Sequence, residues 1–216
     1  MLLDDEEFAI MASAAQPQLR DQQSDAKFRS LFEYFFAGRD FSGREVLELG
    51  PGQCDFSRFA AAAGASVTVM DHDPAVVALG RKRGYEAIIG DFLTFDWGTL
   101  RARFDGLFAR NSISVQRFSD PASFEALIDG VCSVLKPSGW GWVVPWNRFR
   151  GTPSAEIGRM LESQRKALER NGFRIVELTS LIAGPEPGTR HQWELFLRDI
   201  DPGPLASEPK RLLGLV

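Results

Sequence analysis

Hydrophobic residues along the chain fall into short runs typical of strands and longer stretches with helical spacing. The run Val46–Leu49 predicts a buried strand, although Glu48 interrupts it near its end. A turn containing Gly50 and Gly52 follows, and apolar residues then recur at helical spacing: Phe56, Phe59, Ala60 and Ala63. Strand, glycine-containing turn and helix start form the arrangement that brings backbone N–H groups close to a bound ligand.

The same alternation continues through most of the chain. Strand patterns occupy residues 66–70, 86–89, 104–109, 140–144, 173–179 and 192–198. Helix starts are marked by Asp73-Pro74, Asp120-Pro121 and Thr152-Pro153, because a polar N-cap followed by proline favours a first helical turn. Residues 136–139 predict a turn before the fifth strand. This alternation predicts an α/β fold with a doubly wound, largely parallel sheet and helices on both faces.

The region before the first strand contains another helical pattern. Its apolar positions form a stripe: Phe28, Leu31, Phe32, Phe35 and Phe36. Residues 1 to about 19 carry only a poor helical signal. No internal repeat or low-complexity linker divides the chain. We therefore expect an N-terminal helical extension over residues 1–40, one domain over residues 41–198 and a C-terminal tail over residues 199–216.

Composition limits the classes of function. The chain has 216 residues, 44% of them hydrophobic, and its net charge of −4 does not favour broad nucleic-acid binding. No apolar run reaches the roughly 18 residues that span a bilayer, and the acidic segment Asp4–Glu7 is unlike a signal peptide. The two cysteines indicate neither a disulfide framework nor a metal cluster. We expect a cytoplasmic protein without nucleic-acid or membrane partners; the sequence does not indicate its oligomeric state.

Asp71 ends the second predicted strand, 21 residues after Gly50. An acidic residue at about this distance from a glycine turn is placed to hold a ribose diol by charge-assisted hydrogen bonds. The alternative role for Asp71 is a helix cap, but Asp73 is better placed for that. Glu48 is costly in a buried strand unless it finds a donor, so we expect it to face a ligand or an ordered amide.

Three motifs, in this order, resemble the class I methyltransferases: Glu48-Leu49-Gly50-Pro51-Gly52, Val69-Met70-Asp71 and Gly90-Asp91-Phe92. The resemblance covers about residues 40–198 and implies S-adenosylmethionine as the cofactor. It also implies a Rossmann-like, seven-stranded, mostly parallel sheet whose last strand is antiparallel and lies beside the fifth.

The resemblance implies a cofactor site at the ends of the first three strands. Gly50 and Gly52 would expose main-chain amides to the amino-acid end of the cofactor, and Asp71 would hold its ribose. Asp91 would receive the adenine amino group, and Phe92 would offer its backbone N–H or its ring face. Glycines at the turn would permit this close approach because they carry no side chain.

Three further positions belong to the expected cofactor site. Glu48 lies directly before the glycine turn. His72 stands where the family usually has an apolar residue, and it either stacks on adenine or is a partly exposed turn histidine. Cys54 replaces the usual third glycine; we expect a tolerated small side chain rather than a reactive thiol, because no neighbouring base is visible.

Residues at the ends of the later strands would face the methyl acceptor. Asn111 and Ser112 follow the fourth strand, where related enzymes place groups near the methyl group and the acceptor; ordinary loop polarity is the alternative. Asn111 is thus a candidate both for catalysis and for cofactor contact. His191 is the candidate general base, with a structural or exposed histidine as the alternative. The residues after the fifth strand would form an acceptor wall, unless the tryptophan only packs: Trp146, Asn147 and Arg148.

These observations predict a metal-independent methyltransferase that acts on an oxygen or nitrogen of a small molecule. A magnesium-dependent enzyme would carry carboxylates after the fourth and fifth strands, but Arg110–Ser112 and Pro145–Arg148 contain none. One alternative is a binding module that keeps the cofactor but has lost its catalytic chemistry. Another is a nicotinamide-dependent oxidoreductase, which the Gly90-Asp91-Phe92 turn and the absence of a Tyr-x-x-x-Lys pair disfavour.

Overall fold

The computed structural model describes residues 3–15, 36, 40–110, 112–113, 118, 120–144, 154–181 and 190–197. The chain divides into two compact units, Met1–Phe95 and Asp96–Val216. The predicted C-terminal tail and most of the predicted phenylalanine-rich helix lie outside the described residues.

The first unit contains the strands that carry the glycine turn and Asp71. Its elements are α1 (Asp5–Met11), β1 (Glu45–Leu49), α2 (Asp55–Ala62), β2 (Ser66–Asp71), α3 (Pro74–Lys82) and β3 (Glu86–Ile89). Strand β2 pairs in parallel with β1 on one side and with β3 on the other. In this register Leu49 lies opposite Met70, and Asp71 lies opposite Ile89. The polar residues that follow these strands therefore emerge at one edge of the sheet.

Local sequence signals explain where two helices of this unit begin. Asp73 is the N-cap of α3, where its carboxylate accepts a hydrogen bond from the Ala75 amide and Pro74 occupies the first turn. Asp4 and Glu7 form a reciprocal capping box at the start of α1. The poor apolar periodicity of residues 1–19 led us to miss this short helix, although the Asp-x-x-Glu pattern was present in the sequence.

Aromatic side chains pack together around the first turns of α2. Phe36, the one described member of the predicted phenylalanine stripe, packs against Phe41 and Phe56 with ring centroids 5.5 and 5.3 Å apart. Phe59 completes the group at 5.8 Å from Phe41. Such pairs add to the hydrophobic stabilisation of buried rings.

The second unit contains a short 3₁₀ helix (Trp97–Leu100), followed by β4 (Phe104–Arg110), α4 (Pro121–Ser133), β5 (Leu135–Val144), α5 (Ala155–Arg170), β6 (Arg174–Leu181) and β7 (Arg190–Leu197). Strands β4 and β5 are parallel. Strand β7 is antiparallel to both β5 and β6, between which it lies.

Two predicted boundaries in this unit need correction. Strand β5 begins at Leu135, so the expected turn at residues 136–139 lies within the strand span. These residues form an irregularity in the pairing with β4: Phe104 lies opposite Leu135, whereas Gly106 already lies opposite Trp140. Helix α5 begins after Ser154, whose side chain caps it, rather than at Thr152-Pro153. Both differences have the same cause: proline and glycine mark the approximate place of a turn or helix start, but they do not fix at which residue the strand or helix begins.

No helix among the described residues combines the length and the apolar character that a membrane span requires.

Candidate functional site

The loop between β1 and α2 has an unusual backbone. The φ angle is positive at Gly50 (64°), Gly52 (55°) and Cys54 (55°). The Gly50 amide donates to the Met70 carbonyl at 2.9 Å, and the Cys54 amide donates to the Pro51 carbonyl at 2.8 Å. The expectation that both glycines expose their amides therefore needs correction for Gly50, because its amide extends the pairing between β1 and β2.

Glu48 stabilises the start of α2. Its carboxylate oxygen Oε2 accepts the Ser57 backbone N–H at 2.9 Å and also accepts the Ser57 hydroxyl. The N-cap residue Cys54 makes no side-chain capping hydrogen bond, so Glu48 satisfies a helix N–H that the thiol does not. Of the two roles expected for Glu48, the structure shows the ordered amide, and a contact with the cofactor stays a prediction.

Cys54 is fully buried in the left-handed backbone region. Burial raises the pKa of its thiol well above the usual value, and the nearby Glu48 carboxylate raises that pKa further. The thiol is therefore protonated at neutral pH and is not an activated nucleophile. A non-glycine residue in this conformation is strained.

Asp71 lies at the end of β2 with only 8% of its surface exposed. Its Oδ1 accepts the Asp73 backbone N–H at 2.9 Å and lies 3.1 Å from Nδ1 of His72. Burial raises the pKa of the Asp71 carboxyl, while the Asp73 amide partly opposes this shift. The helix cap is made by Asp73, so the carboxylate of Asp71 is oriented at the strand end without being part of that cap.

The residues expected around adenine lie beside Asp71. The Gly90 amide donates to the Asp71 carbonyl at 2.9 Å, so Asp91 and Phe92 follow directly beyond this strand pair. Asp91 is exposed, and its Oδ1 accepts the Leu93 amide at 2.8 Å within its own turn. The His72 side chain is 58% exposed. Stacking of His72 on adenine stays a prediction.

These residues of the first unit fit a nucleoside ligand. Gly50 and Gly52 have no side chain that would block access to the loop backbone. The carboxylate of Asp71, which is buried, lies at the end of the neighbouring strand β2. A diol could be bound by that carboxylate, and the backbone of the loop could approach a charged group closely. In the described part of the chain, no three His, Cys, Asp or Glu side chains are grouped so as to hold a metal ion.

Of the expected acceptor residues, only Ser112 is described together with its side chain. Ser112 is half-buried, two residues after the end of β4. His191 is the second residue of β7 and pairs with Ser180, but its side chain is outside the described part. The remaining four also lie outside the described residues: Asn111, Trp146, Asn147 and Arg148.

Sequence analysis missed one residue that contacts the loop. Arg83, which follows α3, donates from Nη1 to the carbonyl of Gln53. The same guanidinium donates to both carboxylate oxygens of Glu7 in α1, from Nε at 2.7 Å and from Nη2 at 3.0 Å. No sequence motif predicts a contact between residues as distant in the chain as Glu7 and Arg83. The signal in the sequence was the capping pattern of Asp4 and Glu7, which indicates an ordered helix start in the N-terminal segment.

Comparison with known proteins finds one family match and a shared fold. Residues 46–139 match the family model described as a methyltransferase domain. This segment includes the loop after β1, Asp71 and Asp91. No curated protein matches the chain.

Three solved structures share the fold. A magnesium protoporphyrin IX methyltransferase from Synechocystis PCC 6803, solved with bound S-adenosylmethionine, has a TM-score of 0.58 at 14% identity, and the alignment covers 89% of this chain and 90% of that one. A 1,6-didemethyltoxoflavin-N1-methyltransferase from Burkholderia thailandensis, with bound substrate and S-adenosylhomocysteine, has a TM-score of 0.57 at 16% identity, covering 80% and 78%. A TehB-like S-adenosylmethionine-dependent methyltransferase from Corynebacterium glutamicum has a TM-score of 0.53 at 18% identity, covering 81% and 97%.

Residues 46–139 are therefore similar to a methyltransferase domain, and the chain shares its Rossmann-like α/β fold with structures of S-adenosylmethionine-dependent methyltransferases.

Proposed function

We propose that the chain is a class I S-adenosylmethionine-dependent methyltransferase, and that it acts on an oxygen or nitrogen atom of a small molecule without a metal ion. In this reaction the acceptor lone pair forms a bond to the methyl carbon, and the carbon–sulfur bond breaks with its electrons remaining on sulfur. The acceptor then loses a proton, and S-adenosylhomocysteine is released. The observation that carries the proposal is the buried, oriented carboxylate of Asp71 at the strand end beside the glycine loop.

The cofactor would be bound mainly by the first unit. Because Oδ1 of Asp71 accepts the Asp73 amide, we assign Oδ2 to a ribose hydroxyl. The Gly52 amide would bind the carboxylate of the amino-acid end, whereas Gly50 would contribute only close backbone approach. Asp91 and Phe92 would contact adenine.

Three further side chains would support the cofactor site: Glu48, Cys54 and His72. Glu48 would keep the start of α2 in place through Ser57 and would contribute negative potential near the sulfonium. Cys54 would pack beneath the loop, and His72 would lie at the outer face of the adenine site.

The acceptor would be held by residues that follow the later strands. We assign His191 as the general base, and Asn111 as a group near the methyl and the cofactor. The remaining acceptor contacts are assigned to Ser112, Trp146, Asn147 and Arg148. Two of the enzymes that share the fold are named for small-molecule acceptors, magnesium protoporphyrin IX and 1,6-didemethyltoxoflavin. This supports a small-molecule acceptor here.

The finer predictions about fold and context are part of this proposal. They comprise a doubly wound, seven-stranded, mostly parallel sheet with an antiparallel last strand, an N-terminal helical extension and a cytoplasmic location. The parallel pairing of β1, β2 and β3 and the antiparallel pairing of β7 support the sheet arrangement. The lack of carboxylates at Arg110–Ser112 and Pro145–Arg148 supports independence from magnesium.

The test measures cofactor binding and methyl transfer separately. Calorimetry with S-adenosylmethionine and with NADPH would establish which nucleotide binds, with Asp71→Asn as the matched control for the ribose contact. Transfer of a labelled methyl group to a panel of phenols, sugars, amines and heterocycles, with and without EDTA, would then identify the acceptor class.

We expect binding of S-adenosylmethionine, no binding of NADPH and EDTA-insensitive transfer to at least one small molecule. Tight S-adenosylmethionine binding without formation of S-adenosylhomocysteine in the presence of any acceptor would favour the non-catalytic binding module. Activity that disappears with EDTA and returns with Mg²⁺ would reject metal independence.

A further inference from the structure

The N-terminal segment is packed against the cofactor side of the first unit. Helix α1 lies on α3, and Met11 and Ala14 are completely buried. Glu7 is also buried and Arg83 is partly buried, with 8% and 11% of their side chains exposed. A pair so little exposed is stable only when its geometry satisfies both charges, as the two parallel N–H donations from Arg83 do.

Arg83 also binds the glycine loop. Its third donor atom, Nη1, contacts the carbonyl of Gln53, which is 3% exposed. Gln53 stands between Gly52 and Cys54, two residues with positive φ. We call Glu7, Arg83 and Gln53 the Arg83 cluster. Through it a side chain of α1 orients the guanidinium that holds the loop backbone.

A second contact connects the N-terminal segment with the other cofactor strand. The Ala15 backbone N–H donates to Oδ2 of Asp73 at 2.7 Å. Asp73 in turn caps α3 through Oδ1, and its own N–H donates to Asp71. The segment from α1 to Ala15 is therefore connected to the loop 50–54 through Arg83, and it contacts the residues after β2 directly at Asp73.

We propose that the Arg83 cluster sets the cofactor affinity of this enzyme, with Arg83 and Glu7 as positioning residues that hold the loop 50–54 in its binding conformation. This inference rests on the proposed placement of S-adenosylmethionine at that loop. Neither residue needs to touch the cofactor. The N-terminal segment is in this view part of the binding site and not only an extension of the domain.

The physical reason is the conformation of the loop. Three of its five residues have positive φ, one of them a cysteine, and such a backbone persists only when surrounding contacts determine it. Without the Gln53 contact, the loop would sample other conformations, and the cofactor would have to select the competent fraction. Apparent affinity falls in proportion to that fraction. Conversely, bound cofactor should stabilise α1, because the coupling of two sites is reciprocal.

The experiment compares two arginines that each form a paired contact with a carboxylate. Arg83→Met removes the loop contact, and Glu7→Gln keeps the side-chain shape but weakens the orientation of Arg83. The control is Arg170→Met, because Arg170 binds Asp129 and Glu125 in the second unit, and neither of these carboxylates belongs to the proposed site. For each variant we measure unfolding by urea, the Kd for S-adenosylmethionine and S-adenosylhomocysteine, and kcat separately from KM.

We expect Arg83→Met to raise the Kd and the KM for S-adenosylmethionine about tenfold, with kcat at saturating cofactor near that of the wild type. Glu7→Gln should show a smaller change in the same direction, and Arg170→Met should leave both constants unchanged. Hydrogen exchange of the α1 amides in the wild type should slow when cofactor is added.

The proposal is overturned if Arg83→Met and Glu7→Gln are folded and their Kd values equal that of Arg170→Met. If Arg83→Met does not fold, the folded Glu7→Gln variant and the exchange of α1 in the wild type decide the matter. Failure of the wild type to bind S-adenosylmethionine would instead reject the proposed cofactor placement itself, and this result is visible before any variant is compared.

Discussion

The backbone N–H of Asp73 donates a 2.9 Å hydrogen bond to Oδ1 of Asp71. This contact fixes the carboxylate at the end of β2, although burial disfavours its charge and raises its pKa. The ionised form that the proposed ribose contact requires is therefore opposed by burial. Such a cost is typical of binding sites, where function and stability conflict.

The first prediction concerns the substitution Asp71→Asn. The amide oxygen of asparagine can still accept the Asp73 N–H, so the strand end should remain ordered. Loss of a charge-assisted bond to the ribose should weaken S-adenosylmethionine binding by roughly 1.5–3 kcal/mol, or about 10- to 100-fold. Calorimetry measures this directly, and unchanged affinity would remove Asp71 from the site.

The same variant should have a distinct effect on stability. Because folding raises the pKa of Asp71 above the ordinary value of 3.8, the carboxyl favours folding below that value, and this contribution is lost as the pH rises through the raised pKa. At pH 7 Asp71→Asn should thus be at least as stable as the wild type. Urea unfolding at pH 4 and pH 7 checks the sign, and a large loss of stability at pH 7 would contradict it.

The second prediction concerns the strained cysteine of the loop. Cys54→Ala and Cys54→Gly both remove the buried sulfur, but only glycine relieves the positive φ. We expect Cys54→Gly to be more stable than Cys54→Ala by about 1 kcal/mol. Comparison of the two urea midpoints measures the difference, and equal or reversed stabilities would show that the conformation costs nothing.

The third prediction concerns packing in the second unit. A Cβ at Gly130 of α4 would lie 2.2 Å from Cδ1 of Trp97, so Gly130→Ala forces the indole to move. We expect destabilisation by about 1–3 kcal/mol. Gly158→Ala in α5 is the matched control, because its Cβ would meet nothing within 4 Å. It should instead stabilise the helix by about 1 kcal/mol, and thermal unfolding distinguishes the two.

The fourth prediction concerns the proposed base. His191→Ala should lower kcat about 10²-fold or more if the acceptor loses its proton in the rate-limiting step, while the Kd for S-adenosylmethionine stays near that of the wild type. His72→Ala gives the contrasting result: His72, the other histidine in the chain, lies at the proposed adenine site, so its loss should raise that Kd rather than lower kcat. Full activity of His191→Ala with an acceptor that ionises above pH 8 would reject the role.

Local residue patterns were sufficient for most of the secondary structure. Asp73-Pro74 and Asp120-Pro121 begin α3 and α4 where predicted, because capping and the fixed φ of proline act over a few residues. Strand β3 occupies the predicted residues 86–89. Where the signal depended on a bulge or a short helix, as at β5 and α1, the boundaries were wrong or missed.

The sequence by itself determined the α/β alternation, the glycine turn and the carboxylate 21 residues after Gly50. Only the tertiary structure decided how the polar groups of the site are used: Glu48 binds Ser57, the Gly50 amide binds Met70, and Arg83 joins Glu7 to Gln53. The Arg83 contacts connect residues 76 and 30 positions apart. Hydrophobic periodicity and caps act between close neighbours in the sequence, whereas the partner of a buried charge is set by which distant segments the folded chain brings together.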